Sequence, residues 1–150
     1  RLYYLCAISD SLPIAEFITD DEIFDHSATK ALAKFVATLH ERGIIHNDLN
    51  NGNIRWRQAD DAYLFELIDL NRMKFYPEGT QPPRQECLQN LTLFCDLTPQ
   101  FRFFLKCYIA DRHWPSGVID EALRIKRKHD SHWKRKQALK RILRFKARLF

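Results

Sequence analysis

Two short stretches hold the residues best suited to chemistry: IIHNDLNNGNI at 44–54 and FELIDLN at 65–71. Together they present His46, Asp48, Asn53 and Asp69, each close to a short apolar run. A generic polar loop would explain any of these residues singly, but not their order and spacing. One carboxylate can orient an attacking hydroxyl and accept its proton. An amide oxygen and a second carboxylate can hold Mg²⁺ against phosphates, because phosphoryl transfer depends mainly on position and charge. Oxygen donors of this kind suit Mg²⁺ as Cys and most His do not.

Such a set works only if the flanking elements bring it to one edge. The stretch from about Ser27 to Arg42 places Ala28, Ala31, Leu32, Phe35, Val36 and Leu39 at helical spacing. Gly43 follows where a left-handed cap is wanted, so a helix is expected to deliver the chain directly into the first stretch. IRWR and AYLFELID then read as two short strands joined by a polar turn at QADD, the second carrying Asp69. Upstream, residues 1–9 read as a strand with Tyr3, Tyr4 and Ile8 as strand formers, broken by SDSLP. Downstream, a proline-bearing loop at 76–83 leads into an apolar segment from about Arg84 to Ile109, expected as two helices broken near Thr98 and Pro99.

His46, Asp48, Leu49 and Asn53 fit H-x-D-L-x-x-x-N, and Asp69, Leu70 and Asn71 stand where D-F-G would be, so the chain resembles the protein-kinase-like superfamily. The preceding helix, the two intervening strands and the 21-residue interval from Asp48 to Asp69 agree with that resemblance. It implies Asp48 as catalytic base, His46 as the residue that fixes the loop, Asn53 and Asp69 as metal ligands, and ATP with Mg²⁺ as cofactors. It also implies an α+β fold: a kinase-like C-lobe, mainly helical, with a small β-hairpin at the active edge.

The departures narrow the resemblance. Asn47 replaces the arginine that pairs with a phosphorylated activation loop in many protein kinases, and DLN lacks the phenylalanine of D-F-G. About a dozen residues separate Asn71 from the helix expected near Arg84, and no A-P-E follows, which leaves little platform for a peptide. These features point to a small-molecule or lipid-linked acceptor. HNDLNNGNI is similar to lipopolysaccharide core sugar kinases (the Kdo and heptose kinase family) and to aminoglycoside or choline phosphotransferases. The short spacing before His46 and the arginine-rich end favour the first group. The implied function is phosphorylation of a sugar hydroxyl on a lipopolysaccharide precursor; the alternatives are a small-molecule kinase of the aminoglycoside or choline type and an inactive kinase-like binding module. If YYLCAIS is the hinge strand, the backbone near Leu5 and Ala7 meets adenine, although an edge strand explains it equally well. On that reading the nucleotide lobe, with its glycine-rich loop, phosphate-binding lysine and glutamate partner, is missing, and the chain alone is expected to be at best feebly active.

Composition sets the remaining bounds. The 150 residues carry a formal charge of +5, unevenly spread: residues 124–150 hold 12 Lys and Arg against Asp130 alone, and residues 1–123 hold 12 basic against 18 acidic side chains. The chain therefore divides into an expected lobe at 1–123 and a basic helix at 124–150, where Ala138, Ile142, Phe145 and Leu149 recur at helical spacing. That helix suits docking on the lobe or attachment to an anionic membrane surface. The acidic body and the lack of a recognition motif argue against nucleic acid. No apolar run approaches the roughly 20 residues needed to cross a bilayer, and RLYYLCAISD lacks a signal-peptide layout, so a cytoplasmic location, peripheral at the inner membrane, is expected. Cys6, Cys87, Cys95 and Cys107 have no C-x-x-C spacing and read as buried free thiols. His129 and His132, three apart in the basic segment, read as solvated, and Trp56 and Trp133 as packing residues.

Overall fold

The computed structural model describes residues 10–60, 62–94 and 96–146, with side chains as far as residue 141. The strand expected at 1–9, with Leu5, Cys6 and Ala7, lies outside the described residues, as do Cys95 and Leu149. The described chain runs β1 (Leu12–Pro13), α1 (His26–Glu41), β2 (Ile44–His46), β3 (Ile54–Ala59), β4 (Ala62–Leu67), β5 (Met73–Phe75), α2 (Arg84–Asn90), α3 (Pro99–Asp111) and α4 (Val118–Lys146). Helix and strand are mixed, with helix predominant, in agreement with the expected class.

Helix α1 begins where the Asp25 carboxylate accepts from the Ala28 N–H at 2.8 Å. That bond, reinforced by the Tyr63 hydroxyl, holds the Asp25 carboxyl below its ordinary range. The buried face comprises Ala28, Leu32, Ala33, Val36, Ala37 and His40, so it is rotated from the expected one: Ala31 and Leu39 are only partly covered. The rotation follows from what α1 meets. Helix α3 lies against it with Phe101, Phe104, Leu105 and Tyr108, each at most 1% exposed. Helix α3 itself starts at Pro99, capped by the Thr98 hydroxyl accepting from the Phe101 N–H at 3.1 Å.

Two small antiparallel sheets sit beside this helical core. Strands β3 and β4 pair from Ile54 opposite Leu67 to Ala59 opposite Ala62, and Asp60, which follows β3, has a φ of 51°. Strand β1 adds to the other edge of β3, with Leu12 opposite Trp56. Strands β2 and β5 form the second sheet, which sets His46 opposite Met73. The segment expected as two helices is α2, a short 3-10 turn at Leu91–Leu93, and α3. Cys87 is a fully buried free thiol whose pKa is raised by burial, and Cys107 is half-buried. Helix α4 starts at Val118 and passes without a break through residue 124. It packs through Val118, Ala122, Leu123 and Lys126, whereas residues 131–141 are exposed, Trp133 being about half covered where it borders a cavity.

The passage from α1 to β2 turns on Gly43. Its φ is +74°, its N–H donates to the His40 carbonyl at 3.1 Å, and its carbonyl accepts from the Tyr76 N–H at 2.8 Å. A Cβ there would lie 2.9 Å from the Thr80 carbonyl oxygen and 3.2 Å from the Tyr76 Cβ. Positive φ and a close backbone approach both require glycine. Gly43→Ala is expected to lower stability by roughly 2–3 kcal/mol, more than the usual cost of a left-handed alanine. Urea unfolding checks this, and a loss below about 0.5 kcal/mol, the scale of an ordinary surface substitution, would show that the turn relaxes freely.

Candidate active site

The residues singled out in sequence converge on the loop between β2 and β3. His46 is 1% exposed, and its ring joins three segments. Its Nδ1 accepts from the Asp48 N–H at 3.2 Å, and its Nε2–H donates to the Ile68 carbonyl at 3.0 Å, the tautomer being set by these partners. Asn90 of α2 donates from Nδ2 to the His46 carbonyl at 2.7 Å. Imidazole and backbone are thus both held by hydrogen bonds.

Within the loop, Asn50 Nδ2 donates to Asp48 Oδ1 at 3.0 Å, and Asn50 Oδ1 accepts from the Gly52 and Asn53 amides at 2.8 and 3.1 Å. Asn53 Nδ2 donates to the Asp48 carbonyl at 2.8 Å, which leaves Oδ1 as that amide's remaining acceptor. Across the hairpin, the Ile68 N–H donates to the Asn53 carbonyl at 3.0 Å. Asn53 and Ile68 therefore face each other one step beyond the Ile54 and Leu67 pair, and Asp69 follows. Asp69 lies two residues past β4 rather than at its end, at φ 57° and ψ 52°, heading a short 3-10 turn. A left-handed non-glycine residue at such a place is a local cost that the surrounding bonds sustain. Its side chain is 41% exposed, with Arg72 Nε at 3.8 Å, a weak surface pair.

Asn53 and Asp69 carry an amide oxygen and a carboxylate, two hard donors, on segments joined by the Ile68 to Asn53 backbone bond. Among the described residues no group of three or more His, Cys, Asp or Glu is placed to hold a metal ion. A pair of this kind fits Mg²⁺, which commonly keeps several waters and takes further ligands from phosphates.

Asp48 also lines a cavity of about 580 Å³ shared with Asn50, Asp20, Asp96 and the α4 residues Lys126, His129, Asp130 and Trp133. Asn53 and Asp69 are not in its wall. Sequence spacing gives His129 and Trp133 no role, because 81 and 85 residues separate them from Asp48. Helix packing brings them opposite it.

Beneath the loop lies a polar relay that the motif does not reveal. The Tyr108 hydroxyl donates to His40 Nδ1 at 2.6 Å, and His40 Nε2–H donates to Asn90 Oδ1 at 3.0 Å. Asn90 then reaches His46, as above. His40 follows Leu32 and Val36 at four-residue steps, so the signal for it was a lone histidine on the apolar stripe of α1. Burial lowers the His40 pKa from 6.5 to about 4, the Asn90 bond opposing and the Arg112 charge assisting. Burial likewise pushes the Tyr108 hydroxyl well above its ordinary value.

Comparison with known proteins bears on this arrangement. The model of the lipopolysaccharide kinase (Kdo/WaaP) family matches residues 12–92. That span includes β1, α1, the loop with Asp48 and Asn53, the hairpin and Asp69. A solved structure described as WaaP in complex with acyl carrier protein is similar at a TM-score of 0.50 and 20% identity. The likeness covers 74% of this chain and 47% of that one, so this chain spans about half the length of that protein and shares its fold. No curated protein matches.

The relay predicts a pH dependence. Folded His40 stays neutral down to about pH 4, whereas unfolded His40 takes up a proton near pH 6.5. Stability is intact above pH 6.5 and falls as pH drops toward 4, by about 1.4 kcal/mol per unit and on the order of 3 kcal/mol in total. His40→Gln is expected to be roughly 1–3 kcal/mol less stable at pH 7, because it strips Tyr108 and Asn90 of their partner. The gap should narrow as pH falls to 4, measured by urea unfolding of both proteins in parallel. A gap that stays constant across that range would show that His40 does not carry the dependence.

Proposed function

Because the chain belongs to the lipopolysaccharide kinase (Kdo/WaaP) family, we propose that it carries the catalytic half of an ATP-dependent, Mg²⁺-assisted kinase that phosphorylates a sugar hydroxyl of a lipopolysaccharide inner-core precursor. The observation that supports this reading is that Asn53 is bonded both to the Asp48 carbonyl and, across the hairpin, to Ile68, the residue before Asp69, all within the matched span. Asp48, oriented by Asn50, accepts the proton of the attacking hydroxyl. Asn53 Oδ1 and the Asp69 carboxylate would hold a Mg²⁺ ion, which would supply charge neutralisation to the phosphates. His46 keeps the loop backbone in register with the chain before Asp69 and touches no reacting atom.

The sequence holds four glycines and no glycine-rich loop. We assign that loop, the phosphate-binding lysine and its glutamate partner to a nucleotide lobe in the part of the relative's length that this chain does not span. On this reading the 150-residue chain alone transfers phosphate feebly, and ordinary turnover by it would refute the assignment. In full-length protein, Asp48→Asn should lower kcat by about 10²–10⁴ and leave the unfolding midpoint nearly unchanged, since the Asn50 contact has a replacement oxygen. Transfer of ³²P from ATP to inner-core acceptor measures this; retained activity would exclude Asp48 as the base.

We further place the protein at the cytoplasmic face of an anionic membrane. Lys134, Arg135, Lys136, Lys140 and Arg141 lie in the exposed run of α4. Cations near such a surface contribute about 1 kcal/mol each. No helix among the described residues is long and apolar enough to span a bilayer, so attachment would be peripheral. Replacing these five cations by Gln should abolish co-sedimentation with phosphatidylglycerol vesicles at low salt, and unchanged binding would refute the placement. Deleting the whole tail is a poorer test, because it also removes buried Lys126.

A further inference from the structure

We propose that one stripe of α4 forms the acceptor side of the transfer site, with Trp133 as the platform for a neutral sugar ring and Asp130 as an acceptor for its hydroxyl groups. This rests on the sugar-kinase reading and assigns residues to it. Lys126, His129, Asp130 and Trp133 stand at positions three, four and seven apart, so a single helical face lines the cavity opposite Asp48. At about 580 Å³ the cavity is within the range of small-ligand sites. It includes the proposed base and excludes both proposed metal ligands. A hydroxyl that gives its proton to Asp48 can therefore enter from this cavity.

The wall is built, and its chemistry is selective. Lys126 is 4% exposed, and its ammonium donates to the Thr92 carbonyl at 3.0 Å and to Asp130 Oδ1 at 2.7 Å. That cation is engaged internally and fixes Asp130, with His129 Nδ1 a further 3.3 Å from the same oxygen. The facing segment is fastened as well: the Thr19 N–H donates to Gln100 Oε1 at 2.9 Å, beside Asp20. Four carboxylates, of Asp20, Asp48, Asp96 and Asp130, face one lysine, a field that repels phosphate and carboxylate groups and accepts from hydroxyls. Trp133 is 52% exposed and presents an apolar ring beside these acceptors, the pairing of stacking surface and polar handles that suits a pyranose. Anionic portions of a lipid-linked acceptor are left to the cations further along α4.

The test is a titration of ¹⁵N-labelled full-length protein with a dephosphorylated inner-core oligosaccharide, following the Trp133 indole resonance assigned by its loss in Trp133→Phe. A saturable shift is expected. Trp133→Ala should raise the acceptor KM about tenfold, equivalent to about 1.4 kcal/mol, and leave the ATP KM unchanged, with partial recovery in Trp133→Phe. A silent indole, an unchanged acceptor KM, or a response to a polycationic aminosugar alone would overturn the proposal. Binding at Trp133 without phosphoryl transfer would remove the kinase reading and keep the sugar site. Transfer with Trp133 silent would do the reverse.

Discussion

The loop between β2 and β3 hangs on a buried hydrogen-bond relay that begins in the helical core. Tyr108 of α3, His40 of α1 and Asn90 of α2 are each at most 6% exposed, and each supplies the partner the next one lacks. The relay ends on the His46 carbonyl, and the His46 ring carries it to Asp48 and Ile68. A buried polar group without a partner costs about 1–3 kcal/mol, so a shift of any of these three helices would be penalised at several points together. The loop thereby acquires the rigidity of the core although it belongs to neither sheet.

That constraint explains how irregular backbone can hold a precise constellation. Asp48 and Asn53 lie on a loop, and Asp69 sits in a left-handed conformation past the end of β4. None is held by regular strand pairing. What fixes them is short-range closure: Asn50 bridges Asp48 to the Asn53 amide, and Asn53 pairs across the hairpin with Ile68. Gly43 admits the chain from α1 into this arrangement at an angle that a Cβ would block.

Helix α4 joins the body to the surface. Its first turns are buried against the core, its next two turns line the cavity at Asp48, and its exposed continuation carries cations. One continuous helix thus separates the cavity at Asp48 from its exposed, cationic continuation. At 1.5 Å of rise per residue, about ten residues correspond to about 15 Å.

What the sequence determined by itself is local. The spacing of His46, Asp48, Asn53 and Asp69 is read directly from the sequence, and the two strands between them were expected, although the turn expected at QADD is shorter, since Gln58 and Ala59 pair within β3. Helix α1 was legible from its period and from Gly43, and Thr98 with Pro99 announced α3. The exposed face of α1, the relay through His40, Asn90 and Tyr108, and the approach of Trp133 to Asp48 were decided only in three dimensions. Asn90 lies 50 residues from His40, and Trp133 85 from Asp48. Contacts at such separations depend on how helices pack, and packing is set by the summed fit of many apolar side chains, which leaves no mark at any single position.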